Sequence, residues 1–263
     1  MSWTGAVQLD LARRQDRTVA ERQFSTGALK LMRPTHQPDS TTPHWTLMNP
    51  GGGYVGGDRY TIGLRLGPGS DAVLDGQAAT KIYRSDGPCT YQRTDVQMDT
   101  CSSLTLSPLP LIAYRGARYV QETVVTMAPE ARLVSRELVT AGWSPEGELF
   151  SFDSVRVRLR VVASDGRPVL IDNLVLEPRV VDPRSSLLLA GHTHTGTLVV
   201  VGGAPLPTAQ AVREACADIS GADCRTGVGG TAGQSVVVRC LGSSTQSVEG
   251  VLECAERLCR IRV

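Results

Sequence analysis

Residues 155–161 read Val155-Arg-Val-Arg-Leu-Arg-Val161, with an apolar side chain at every odd position and arginine at every even one. Side chains on an extended strand alternate between its two faces, so this run has one wholly apolar face and one wholly cationic face. A helix with the same order would scatter its apolar groups around the axis. The stretch therefore predicts a strand with one buried face. Just beyond it, Asp165-Gly166 is a turn signal flanked on both sides by strand pattern, and the strand on its far side ends Leu170-Ile171-Asp172; together they predict a β-hairpin.

The alternation continues elsewhere. Leu104 and Leu106 place a second strand, and Val134, Glu137 and Val139 place another, less regular one. Turn signals separate these runs at Gly67-Pro68-Gly69, Asp86-Gly87-Pro88 and Ser144-Pro145-Glu146-Gly147. Helical spacing appears late. Thr208 caps a segment with Val212, Ala215, Cys216 and Ile219 on one face, ending near Gly221. A second helix is predicted from near Ser244 to about Cys259, burying Val248, Val251, Leu252, Ala255 and Cys259. Its acids Glu249, Glu253 and Glu256 precede Arg257 and Arg260, the order that the helix dipole favours. Between the helices, the glycine-rich 225–234 reads as a flexible loop. No composition break divides the chain. The expectation is an all-β-dominated single domain over 1–263, with a β-rich body over 1–205 and about two α-helices near the C-terminus within 206–263.

Composition limits function. The 263 residues are enough to bury a sizeable core, and 41% apolar with 20% charged residues is a globular balance. With 27 basic against 26 acidic residues and no basic stripe carrying aromatics, nucleic acid is not an expected partner. Apolar runs such as Leu187–Ala190 and Leu198–Val201 are too short to cross a bilayer, so no membrane partner is expected either. Met1–Arg14 contains no signal-peptide core, and seven irregularly spaced cysteines do not form a disulfide framework, so a cytoplasmic location with reduced thiols is expected. Cys216 and Cys259 fall on apolar helix faces and read as core.

Three segments could carry chemistry. In Asn49-Pro-Gly-Gly-Gly-Tyr-Val-Gly-Gly-Asp-Arg-Tyr60, five glycines let the backbone approach other groups closely. A phosphate loop would end in Gly-Lys-Ser/Thr before a helix, whereas a strand pattern follows here, so the segment reads as a turn that places Asp58. Gln77-Ala-Ala-Thr-Lys-Ile-Tyr-Arg-Ser85 gathers an amide, a hydroxyl, an ammonium, a phenol and a guanidinium, either as an exposed strand edge or as a polar wall. His192-Thr-His194 would put two imidazoles on one face of a strand, but with no carboxylate or cysteine close in sequence. No Gly-x-Ser-x-Gly elbow and no CxxC occur.

Taken in order, several blocks resemble the UreD (UreH) family of urease accessory proteins. Phe24–Pro34 resembles the family's N-terminal strand, Asn49–Tyr60 its glycine-rich signature, and Gln77–Arg84 its Ala-Thr-Lys signature. Leu109-Pro-Leu-Ile-Ala-Tyr-Arg-Gly-Ala-Arg-Tyr119, Glu137–Trp143 with Gly147–Phe150, and His194-Thr-Gly-Thr-Leu198 follow in the family's order. The resemblance spans about residues 24 to 201. It implies a β-helix-like or layered β-sheet fold and a non-catalytic role as scaffold and conduit for nickel insertion into apo-urease. The implied partners are UreF, the GTPase UreG through UreF, and the apo-urease subunits, with Ni2+ in transit and no tightly bound cofactor. On the same resemblance Asp58, Gln77, Thr80, Asp172 and Glu137 become nickel-path candidates, Asp58 leading. Lys81, Tyr83 and Arg84 become wall residues, and His194 a metal candidate. Two other readings remain: a metal-dependent enzyme using His192 and His194, and a β-solenoid binding module, for which no repeat of fixed period is evident.

Overall fold

The computed structural model describes residues 2–37, 40–203, 205–220, 223–231 and 235–260. In chain order its strands are β1 (Gly5–Arg14), β2 (Arg17–Gly27), β3 (Lys30–Leu31), β4 (Thr35–His36), β5 (Pro43–Met48), β6 (Arg59–Leu66), β7 (Asp71–Gly76), β8 (Thr80–Ile82), β9 (Thr90–Met98) and β10 (Ser103–Ser107). They continue as β11 (Leu111–Ala113), β12 (Arg118–Met127), β13 (Arg132–Thr140), β14 (Ser154–Ala163), β15 (Pro168–Leu176) and β16 (His194–Gly202). Helix α1 (Ala209–Ser220), β17 (Cys224–Gly229), β18 (Ser235–Gly242) and helix α2 (Thr245–Arg260) complete the chain.

The chain winds back and forth between two sheets. One has the order β15-β14-β12-β9-β6-β1-β2 and the other runs β17-β18-β16-β13-β10-β7-β5-β3. Strands β6, β9, β12 and β14 stack parallel in the first sheet, and β5, β7, β10 and β13 stack parallel in the second. Between them, each turn of the winding passes a narrow third side, formed by the parallel pair β8/β11 and the bridges Tyr54–Ile82 and Tyr114–Trp143. The result is a β-solenoid of about four turns. Antiparallel strands border the parallel stacks: β2 beside β1, β15 beside β14, and β16 beside β13.

Stacking in register lines residues of successive turns into columns. Leu9, Leu64, Val96, Val125 and Val161 form one interior column, and Leu11, Leu66, Met98, Met127 and Ala163 the next. All ten are buried, and apolar burial of this kind contributes most of the stabilisation. Residues 155–161 belong to the same arrangement: Val155, Val157, Leu159 and Val161 point inward while the arginines stand outside. The hairpin predicted at Asp165-Gly166 joins β14 to β15, and the other turn signals also fall between strands.

Strand β13 explains its own irregular pattern. Leu133 and Val139 face the solenoid interior, while Val134 and Leu138 pack beneath the helices, so both parities are apolar. Helix α2 lies over β16, β18 and β13, and it comes so close that a Cβ at Gly196 would sit 2.4 Å from Val248 Cγ1. Ser244 caps α2 through the Ser247 amide, and Thr208 caps α1 through the Ala211 amide, as their positions predict. Arg136 of β13 ties α2 down through Glu256 at 3.5 Å and Glu253 at 3.8 Å.

Three sequence expectations are corrected. The stretch read as a flexible loop is largely ordered: 224–229 is strand β17, paired with β18, because its sparse apolar residues Cys224 and Val228 suffice when helices cover them. Residues 232–234 of that stretch lie outside the described residues, as does Gly221, the expected end of α1. Ile219, expected on the apolar face of α1, is 44% exposed, since the packed face ends with Val212 and Cys216. His192 is not on a strand. β16 begins at His194, and the His192 amide closes a turn onto the Leu189 carbonyl, so the two imidazoles do not share a strand face.

Candidate functional site

The two sheets enclose an apolar core towards one end of their strands and a hollow towards the other. One interior row from the Val96 column, the positions become Thr94 and Thr123, and one row further Gln92 and Gln121. Across the gap, the column Trp45, Leu74, Leu106 turns polar at Ser135, and Glu137 follows two residues along. The four threonine and glutamine side chains, with Leu74, Leu106, Ser135 and Glu137, border a cavity of about 200 Å3. A water occupies about 30 Å3 of liquid, so the chamber has room for roughly seven.

One wall of the chamber is built by the glycine-rich segment. Asn49 folds it back, donating to the Gly53 carbonyl at 3.0 Å and accepting from the Gly51 amide. Gly53 passes so near the next turn that a Cβ there would lie 2.5 Å from Tyr83 Cε2 and 2.8 Å from the Lys81 carbonyl. Tyr54 then bridges to β8 through the Lys81 carbonyl and the Tyr83 amide. Its ring stacks on Tyr60 at 3.9 Å between centroids, and its hydroxyl donates to Gln92. Asp58 accepts from the Tyr60 hydroxyl at 2.7 Å and the Val55 amide at 2.9 Å. Asp58 is absent from the chamber lining and acts on it only through the tyrosine pair. Burial and the Asp58 carboxylate push the Tyr54 phenol well above its ordinary range, so it stays a donor.

Gln77, Ala78, Thr80 and Lys81 form the rim of the chamber, with Gln77 and Ala78 exposed. Tyr83 stands behind this rim, its hydroxyl 3.3 Å from the Gly52 carbonyl, and Arg84 points away to pair with Asp86. Asp75 also borders the chamber, and its Oδ1 is buried with no hydrogen-bond partner among the described residues.

Glu137 sits at the deep end. Tyr119 donates to the Gln121 side-chain carbonyl at 3.1 Å, and the Gln121 amide donates to Glu137 Oε1 at 2.5 Å. This relay fixes the amide so that its NH2 faces the carboxyl. Protein surrounds Glu137, and its remaining accessible surface is the part that faces the hollow. Burial raises its pKa to about 7; the Gln121 bond opposes the rise and the charge of Asp172 adds to it. Beyond Glu137 a second hollow of about 20 Å3 continues, bordered by Asp172, Arg158, Thr195 and Thr197. Asp172 is 14% exposed and is held by Arg239 of β18. Gln77, Thr80, Lys81, Glu137 and Asp172 thus border two adjacent hollows, which have Thr123, Ser135 and Glu137 in common, whereas Asp58, Tyr83, Arg84 and His194 border neither.

His194 is packed against Thr193, whose hydroxyl is 2.8 Å from Nδ1, and burial lowers its pKa. Among the described residues, no three His, Cys, Asp or Glu side chains gather to hold a metal. Cys216, Cys240 and Cys259 lie under the helices, where burial pushes their thiols up to about 11, 12 and 11. The polar groups that border the hollows are carboxylate, amide, hydroxyl, ammonium and guanidinium groups, set among apolar side chains such as Leu74, Leu106 and Val199, and no cysteine borders either hollow.

Sequence reading did not find Asp75, Gln92, Thr94, Gln121, Thr123 or Ser135. One signal existed: Gln92, Thr94, Gln121 and Thr123 are polar residues at inward parity in otherwise apolar alternation.

A family model described as UreD urease accessory protein matches residues 4–263. The chain is 37% identical over 272 residues to the urease accessory protein UreD of Arthrobacter sp. (strain FB24), covering 98% of this chain and 90% of that protein. It is 31% identical over 260 residues to the UreD of Bacillus sp. (strain TB-90), covering 99% and 95%. It is 29% identical over 261 residues to the UreD of Lachnoclostridium phytofermentans, again covering 99% and 95%. No helix among the described residues is long and apolar enough to cross a membrane. The chain belongs to the UreD family of urease accessory proteins, non-catalytic factors in the maturation of a metalloenzyme.

Proposed function

We propose that the chain is a nickel conduit and docking scaffold for apo-urease, working in the cytoplasm with UreF and, through UreF, the GTPase UreG. One observation supports the reading above all: two adjacent hollows, with Glu137 bordering both, extend from the Gln77–Lys81 rim to Asp172, and the polar groups among their apolar lining are mostly oxygens and amides. A borderline divalent ion such as Ni2+ binds briefly to such groups and leaves again, whereas a thiolate cage would keep it. Gln77, Thr80, Asp75, Glu137 and Asp172 act on the ion in that order along the path. Lys81 shapes the rim, while Asp58 and Tyr83 act by holding the wall. Arg84 and His194 are assigned no contact with the ion.

The test is co-expression with urease and its other accessory proteins, followed by measurement of nickel in the purified urease. Ala78→Trp, at an exposed position on the rim, is expected to obstruct the path and lower nickel content severely while the chain still co-purifies with its partners. Normal nickel content in that variant would overturn the conduit. Asp58→Ala is expected to reduce nickel less than Glu137→Ala, because Asp58 reaches the hollow only through Tyr60 and Tyr54. A pull-down that recovers neither UreF nor urease would remove the scaffold role.

A further inference from the structure

The two hollows meet at three side chains, Thr123 of β12 with Ser135 and Glu137 of β13, each of which borders both. The volumes on the two sides differ widely. About 200 Å3 on the rim side holds a cation with a full shell of six waters, whereas about 20 Å3 on the far side holds no more than about one water. An ion that keeps its whole shell fits the first space and not the second.

The groups at the junction are equipped to replace that shell. Thr123 and Ser135 are only 7% and 5% exposed, yet among the described residues neither hydroxyl makes a hydrogen bond to protein. Neither oxygen is among the fully buried unpartnered atoms, so each keeps some accessible surface, which leaves it to water or an ion in the hollows that both residues border. Glu137 receives the Gln121 amide at Oε1, and its Oε2 has no donor among the described residues. Three oxygen-bearing side chains from two facing strands thus border both the wide hollow and the narrow one.

We propose that Thr123, Ser135 and Glu137 form the dehydration point of the hollow, where a divalent cation exchanges waters of its shell for these three side-chain oxygens before it enters the narrow end. The proposal rests on the conduit reading and adds the form in which the ion travels: hydrated on the rim side, partly stripped beyond. The step is ligand exchange alone. Metal–water bonds break, metal–oxygen bonds to the protein form, and the released waters return to the larger chamber.

The experiment measures the rate of nickel incorporation into co-expressed urease, with Ni2+ as the probe. The double variant Thr123→Val/Ser135→Ala removes both hydroxyls at nearly constant volume. It is expected to slow incorporation about ten-fold or more, the effect of losing roughly 1.4 kcal/mol of ligation. Thr123→Ser keeps the oxygen and is expected to stay within about two-fold of the parent, a difference below the worth of one ligand. Because the hydroxyls hold nothing in the protein, the double variant should melt no lower than the parent. Parent-like rates in the double variant, with Ala78→Trp still blocking, would overturn the dehydration point and leave the conduit standing. Normal nickel content in Ala78→Trp would end both. A double variant that melts much lower than the parent would show that the hydroxyls support the fold and would likewise overturn the proposal.

Discussion

The two sides of the solenoid, at opposite ends of its strands, are made from the same strands and have opposite interiors. On β9, Val96 and Met98 belong to sealed apolar columns, while Gln92 and Thr94, a few residues earlier, border a hollow. On β12 the division falls at the same height, between Thr123 and Val125. The contrast separates two demands on one backbone. The apolar end supplies the burial that holds the turns in register, and this releases the polar end from filling its own interior.

The contrast breaks most sharply with a charge. Val96→Asp puts a carboxylate in the sealed end with no partner and is expected to cost more than about 4 kcal/mol, enough to prevent folding. Thr94→Asp, two residues away on the same strand, opens onto the chamber and should cost at least about 2 kcal/mol less, because cavity water can solvate it. Urea unfolding of both variants measures this. Equal losses would mean that the hollow is as dry as the core.

A second test uses pH. The Glu137 carboxyl is raised from 4.5 to about 7, so the folded chain holds a proton that the unfolded chain releases between those values. Stability therefore falls as pH rises through that window and levels off above it. At about 1.4 kcal/mol per pKa unit, Glu137→Gln should stabilise the protein above pH 7 by up to about 3 kcal/mol and have little effect near pH 4. A pH-independent difference in melting temperature would contradict the buried setting of this carboxyl.

Smaller effects sharpen the boundary. Tyr60→Phe removes the donor to Asp58 and should cost about 1 kcal/mol by thermal melting. Thr94→Val replaces a hydroxyl that lacks a protein partner among the described residues, so it should be neutral or stabilising by less than about 1 kcal/mol. A large loss there would indicate an ordered water network that the hydroxyl completes.

How much of this was legible in the sequence depends on which physical signal each part leaves. The alternation of Val155–Val161 revealed strand and inward parity, and helical spacing with Thr208 and Ser244 revealed both helices, because these patterns are local. The solenoid repeat was hidden. Ile62, Thr94, Thr123 and Leu159 share one column, yet the spacing between successive members differs at every step, so no fixed period exists to be found. Strand β17 was missed because its apolar content is low and the helices supply the cover. Gln77, Thr80 and Asp172, named from the family resemblance, border the hollows. Asp58 does not, because Tyr60 and Val55 engage a carboxylate that looks available in a loop. Glu137 borders both hollows, and a single acid among strand residues gives no sign of that.

The direction of the border strands has a consequence of its own. Parallel turns stacked in register could in principle continue without limit, since the last turn offers the next the same hydrogen-bonding edge as the one before. Here the chain reverses at β2 and β15 in one sheet, and at β3 and β16 in the other. A second copy arriving end-on meets a strand running against the stack, so it cannot add a further parallel turn in the register of those before it.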